Sequence, residues 1–196
     1  MSAPQKNIRR TTSRPDLFVQ LHSVFVQRGY DGATLANLAA ATGLSKASLY
    51  HHFPGGKLEM IENLVRQSIA DLHKKAFSHL QTQAPPKQRL GAFVEGFSAY
   101  CEQGEKHCLL AVISQQKSAG DELAGVHTAI SEQFADWQNL LADVIQQAGS
   151  KPKKARRDAV GTMSTLYGGL VLARIHQDPG HFKAAVRSQL KNLAPI

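Results

Sequence analysis

Apolar residues recur at helical spacing along nearly the whole chain, and glycines and prolines punctuate them. Residues 16–28 place Leu17, Leu21, Val24 and Phe25 on one face, the three-to-four spacing of an amphipathic helix. Gly29 ends that pattern and Tyr30 is free to fold back onto it. Thr34 precedes the next run as an N-cap, with Leu35, Leu38 and Ala39 directed inward and Gly43 as the left-handed stop. Ser45 caps a third, short helix that reaches about His52, and Pro54-Gly55-Gly56 breaks it. A long helix over residues 57–81 follows, striped by Ile61, Leu64, Val65, Ser68, Ile69 and Leu72, and Ala84-Pro85-Pro86 closes it.

Beyond the prolines, the pattern predicts helices over 87–103, 109–117, 122–148, 153–177 and 179–192. Their breaks are Gly104, Ala119-Gly120, Gly149-Ser150 and Asp178-Pro179. Two of these helices carry wide stripes: Val126, Ile130, Phe134, Trp137, Leu141 and Val144 on one, and Val160, Met163, Tyr167, Leu170, Val171 and Ile175 on the other. A stripe wider than one neighbour can cover predicts a second contact, here with a two-fold copy of the chain as a four-helix interface. Packing of both stripes within one chain is the simpler alternative. Period-two runs of Val, Ile, Thr and aromatics are nearly absent, so the fold class is all-α.

Composition agrees: of 196 residues, 42% are apolar, enough for a sizeable core. Two cysteines, Cys101 and Cys108, cannot build a disulfide framework, which fits a reduced, cytoplasmic setting. No apolar run is long enough to span a membrane. The net charge is +8. Half of that excess falls in residues 1–60, where Lys6, Arg9, Arg10, Arg14, Arg28, Lys46 and Lys57 face Asp16, Asp31 and Glu59. A polyanion partner for that end is the inference, and a solvated basic tail the alternative. Residues 1–13 read as a mobile basic arm.

The segment from Gly29 to Lys57 holds the chemistry. Two short helices meet at a glycine turn, and the second begins with Ser45, Lys46, Ala47 and Ser48 and ends with Tyr50, His51 and His52. A helix built only for packing needs an apolar stripe and little else; this one suits the major groove of DNA. Gly29-Tyr30, Thr34, Leu38-Ala39, Gly43-Leu44-Ser45, Ser48-Leu49-Tyr50 and His52-Phe53 resemble the N-terminal domain of TetR-type transcriptional repressors, over about residues 14–65. Where many members place two residues between the Phe and the Lys, this chain has three, Pro54-Gly55-Gly56.

The resemblance implies a DNA-binding domain over 14–56 and a helical effector-binding and dimerisation domain over 57–196. It implies a homodimer that represses from a palindromic operator on double-stranded DNA and is released by a small molecule. Lys46, Ala47 and Ser48 would read bases, Thr34, Tyr50, His51 and Lys57 would hold the backbone, and Ser45, the cap of the same helix, belongs to the DNA-binding set. Arg9, Arg10 and Arg14 could follow the backbone or enter a minor groove. An effector cavity is expected in the body, with Phe93, Phe97, Tyr100, Cys108, Phe134, Trp137 and Tyr167 as candidate lining residues and an apolar or aromatic ligand. A second expectation concerns Cys108: Lys106 and His107 beside it could favour a thiolate, making the chain a thiol or electrophile sensor. No Walker loop, GxGxxG or GxSxG motif is present, so no catalytic residue and no cofactor is expected. The histidines show no metal-ligand spacing.

Overall fold

A computed structural model describes residues 14–116 and 121–193 of the chain. The basic arm of residues 1–13, with Arg9 and Arg10, lies outside them. Among the described residues there are nine α-helices and no strand. They are α1 (Arg14–Gly32), α2 (Leu35–Thr42), α3 (Lys46–His52), α4 (Gly56–Lys75), α5 (Pro86–Tyr100), α6 (Leu109–Ser114), α7 (Ala124–Gln147), α8 (Pro152–His176) and α9 (Gly180–Leu193). No helix is long and apolar enough to cross a membrane among the described residues.

The first three helices form a small head. Gly29 adopts φ 69, ψ −176 and kinks the end of α1, so the regular helix stops where the apolar pattern does. Thr34 and Ser45 are the N-caps of α2 and α3; their side chains accept from Asn37 N–H at 3.2 Å and Ser48 N–H at 3.0 Å. Gly43 is left-handed, as the stop between the two helices requires. Leu17, Leu21, Phe25, Tyr30, Leu38, Leu49 and Phe53 bury together, with Phe18 edge-on to Phe53.

The long helix is shorter than its pattern predicts. It ends at Lys75, and Phe77–Gln81 turn in a separate 3-10 segment. The cause is tertiary. α5 crosses the end of α4 at Gly96, where the Lys75 carbonyl fills the place of a side chain. Phe77 then turns inward and stacks on Trp137, ring centroids 4.3 Å apart and nearly parallel.

The body is layered around α5 and the antiparallel pair α7 and α8, with α9 on α8 and α5. Gly169 gives α9 its close approach to α8 at Ala185. The wide stripe of α7 is largely covered inside the chain, since Val126, Ile130, Trp137, Leu141, Val144 and Ile145 are all buried. That of α8 is not. Val160, Val171, Leu172 and Ile175 stay exposed, the last at 66%, and Gly161 and Gly168 open onto empty space between them.

Candidate nucleic-acid interface and body cavity

Alternation along α3 separates two kinds of residue. Leu49 and Phe53 point into the head and anchor the helix. Lys46, Ala47, Tyr50 and His51 are exposed, and Ser48 is half-buried. The N-terminal turn is tight: Ser45 and Ser48 hydroxyls sit 2.9 Å apart, and small side chains leave the backbone accessible. His51 and His52 meet edge-on at 5.9 Å on the outer surface.

Thr34, Tyr50, Gly55, Gly56 and Lys57 come together in one groove, with Asp31 and Glu122 on its rim and a volume of about 490 Å³. The extra residue of the Pro54-Gly55-Gly56 turn has a structural basis. Gly56 takes φ 69, donates its N–H to the Phe53 carbonyl at 2.9 Å, and lies against the Tyr50 ring. The Gly55 N–H donates to Glu59 Oε2 at 2.7 Å, closing the start of α4. Lys57 is half-buried and turned inward. Its ammonium donates to the Tyr30 carbonyl at 3.0 Å and lies 4.1 Å from the Tyr30 ring centroid. In this arrangement Lys57 ties α4 to the end of α1.

The body reaches the same tyrosine. The Tyr30 N–H donates to Gln116 Oε1, and the Gln116 amide occupies the space beside Gly29. Burial first, and the nearby Glu122 carboxylate next, push the Tyr30 phenol pKa up. Gln116 lies two residues past the end of α6, which packs on both α1 and α4. Nothing in the local sequence marks Gln116 or Glu122, because their partner is nearly ninety residues away.

The seven aromatic and thiol candidates of the body divide. Phe134 and Tyr167 line a cavity of about 660 Å³ between α6, α7 and α8, with Ala111, Ile130, Met163 and Ser164. Ser114, Gln115, His127 and Ser131 also face it, and among the described residues no Lys, Arg, Asp or Glu does. Phe93, Phe97 and Trp137 are instead fully packed in an aromatic core with Phe77 and Phe182. Met163, Ile130 and the serines were not legible as lining residues, since their positions depend on how α6 sits across α7 and α8.

Cys108 is 4% exposed and its Sγ lies 3.8 Å from the Tyr167 hydroxyl. Burial is the largest influence on the thiol and raises its pKa, outweighing Lys106, whose ammonium sits 5.2 Å over the Tyr100 ring. The thiol-sensing expectation is therefore not supported: the cation that was to favour a thiolate cannot offset desolvation. Among the described residues, no group of three His, Cys, Asp or Glu could hold a metal ion.

Tyr100 lines a different cleft, of about 520 Å³, between α1, α4 and the segment before α6. His22 stands in it, and burial followed by the Lys106 ammonium pulls its pKa down to about 4. An unfolded histidine titrates near 6.5. Between these values the unfolded chain takes up a proton that the folded chain refuses. The stability contributed by neutral His22 is thus complete above pH 6.5 and is lost as the pH falls toward 4. Urea unfolding at about pH 7 and about pH 5 should show an acid loss about 1–2 kcal/mol larger in the native chain than in His22→Gln.

A capped two-helix unit that buries Leu49 and Phe53 and turns Lys46, Ala47 and Tyr50 outward defines a helix-turn-helix DNA-binding regulator with a helical body. The family model of the bacterial regulatory proteins, tetR family, matches residues 21–64, and that of the LmrA/YxaF-like transcriptional regulator C-terminal domain matches residues 86–188. The chain belongs to the TetR family of transcriptional regulators. It is 22% identical over 163 residues to the HTH-type transcriptional regulator LmrA of Bacillus subtilis, covering 82% of this chain and 86% of that one. It is 30% identical over 156 residues to the HTH-type transcriptional activator FasR of Mycolicibacterium smegmatis, covering 79% and 69%. A TetR-family regulator structure from Agrobacterium tumefaciens superposes with a TM-score of 0.74 at 20% identity, over 91% of this chain and 96% of that one.

Proposed function

We propose that this chain is a ligand-responsive repressor that binds a palindromic operator as a homodimer and leaves it when a small molecule enters the α6–α7–α8 cavity. One observation supports the reading: α6 forms a wall of that cavity through Ala111 and Ser114 and packs on α1 of the head and on α4. Gln116, at its end, holds the Tyr30 amide. A ligand that displaces α6 acts directly on the joint between head and α4, and a tenfold loss of operator affinity needs about 1.4 kcal/mol of differential binding.

The lining sets the ligand class. Phe134, Tyr167, Ile130 and Met163 supply an apolar and aromatic floor, and serines, Gln115 and His127 supply hydrogen-bonding groups. Since no charged side chain lines the cavity among the described residues, the ligand that fits is uncharged, planar or apolar, and carries a few hydroxyl or carbonyl groups. The head divides the work on DNA: Lys46, Ala47 and Ser48 read, while Thr34, Ser45, Tyr50 and His51 hold the backbone, and Lys57 braces the turn.

Footprinting on DNA upstream of the chain's own gene tests both halves. A two-fold symmetric protected stretch is expected, released by some member of a panel of hydroxylated aromatic compounds. Lys46→Ala should weaken that stretch by roughly 1–3 kcal/mol while leaving random DNA nearly unaffected. Equal weakening on both would remove Lys46 from base reading. Activation of transcription from the protected promoter would replace repression.

A further inference from the structure

The strongest charge on the folded molecule lies at the opposite end from the head. Lys151, Lys153, Lys154, Arg156 and Arg157 occur within seven positions at the start of α8, and all five are exposed. Asp158 is the one carboxylate bonded to them among the described residues, through Lys154. α7 fixes where this cluster stands. The helix starts just after Glu122, beside Tyr30 and Lys57, and its 24 residues carry the chain about 36 Å away from the head. Other cations gather at that far end. Arg89 on α5 bonds both the Leu80 carbonyl and Gln147 at the end of α7, and Lys87 stands two positions earlier at the start of the same helix.

This arrangement works against the helix that carries it. The N-terminus of a helix bears the positive end of its dipole and favours acidic residues, yet the first turn of α8 holds no acidic side chain and begins with lysines. Five cations there repel the dipole and one another, a cost without return unless an anion meets them.

We propose that this distal basic tip is a second, sequence-independent contact for the phosphate backbone of double-stranded DNA, so that a molecule seated by its heads on one duplex can hold another. The neighbouring residues favour a duplex over other polyanions. Gln146, Gln147 and Ser150 lead into the run, and Gln147 meets Arg89; these are the donor types that contact phosphates beside Lys and Arg. Among the described residues, the nearest exposed large apolar side chain is Val160, a turn beyond Arg157 in the α8 row that continues to Val171 and Ile175; residues 146–158 expose none, where a membrane surface would need one to insert and a protein partner one to anchor. In any dimer whose heads face one duplex, both tips stand on the far side, so the two clusters act together and away from the operator.

The test is a capture experiment with random-sequence duplex DNA. One duplex is fixed to beads, protein is added, and a labelled second duplex of about 40 base pairs is offered at about 0.1 M salt. The native chain should bind the first duplex and retain the second. Replacing all five cations by Gln should leave binding of the first within about twofold, cut retention of the second at least tenfold, and flatten its salt dependence by about two to four phosphate contacts. Loss of the first duplex by the native chain would instead indict the head. Failure of the native chain to retain a second duplex, or equal retention by the five-Gln variant, overturns the proposal. So does a lower thermal midpoint of the variant, which would mean that the cations serve the fold. Tip-dependent binding to phosphatidylcholine vesicles with about 20% phosphatidylserine, without duplex capture, overturns it in favour of a membrane surface.

Discussion

Val171→Glu is expected to leave the chain folded and to make it monomeric, with operator affinity falling by about 10²–10⁴. Val171 is 48% exposed on α8 and lies in a row with Val160, Leu172 and Ile175 that none of the other described residues covers. Gly161 and Gly168 open between these side chains, so a second helix can approach the α8 backbone closely. A carboxylate in the middle of such a contact has to be desolvated in the dimer and is freely hydrated in the monomer. The folded monomer loses nothing, because the position already faces water. The loss on DNA is large because, in the proposed dimer, two linked heads would make the second half-site contact an intramolecular one. Sedimentation and operator binding measure the two effects separately. A variant that remains dimeric would place the dimer contact elsewhere.

Gly96→Ala should destabilise the fold by about 2–4 kcal/mol, the largest effect expected of a single methyl group in this chain. Helix propensity alone predicts the opposite sign, since Ala stabilises a helix interior over Gly by about 1 kcal/mol. Here a Cβ would fall on the Lys75 carbonyl oxygen and within 3.0 Å of the Ala76 Cα, both backbone atoms that cannot rotate away. α5 and the end of α4 must then separate, which loosens Phe77 from Trp137. Gly125→Ala is the comparison: its added methyl meets nothing within 4 Å, and stability should rise by about 0.5–1 kcal/mol. Urea titration of both variants checks the pair. A neutral Gly96→Ala would mean that the α4–α5 crossing is not this tight in solution.

These two glycines show where sequence patterns are legible and where they stop. The head was readable nearly residue by residue. Its caps at Thr34 and Ser45, its stops at Gly29 and Gly43, and the division of α3 into buried Leu49 and Phe53 and exposed Lys46, Ala47 and Tyr50 are local consequences of backbone chemistry. The body was readable as helices but not as a site. Aromatic residues at helical spacing looked alike, yet Phe134 and Tyr167 border a cavity while Phe93, Phe97 and Trp137 fill the core. Periodicity says which face of a helix is apolar; it does not say whether a neighbouring helix closes on that face or stops short of it. The charge was legible only in part for the same reason. Residues 1–60 hold half of the net excess, but the run from Lys151 to Arg157 stands exposed beyond the end of α7, far from the head, a placement that only the fold decides.

The all-helical architecture, the helix-turn-helix and its polar face follow from contacts within a few residues, whose energetics are the same in any surroundings. The end of α4 at Lys75, the protonation of Cys108 and His22, the inward turn of Lys57 onto Tyr30, and the bond from Gln116 to the head depend on groups far apart in the chain. Burial and long-range packing decide such features, and neither exists until the helices have assembled.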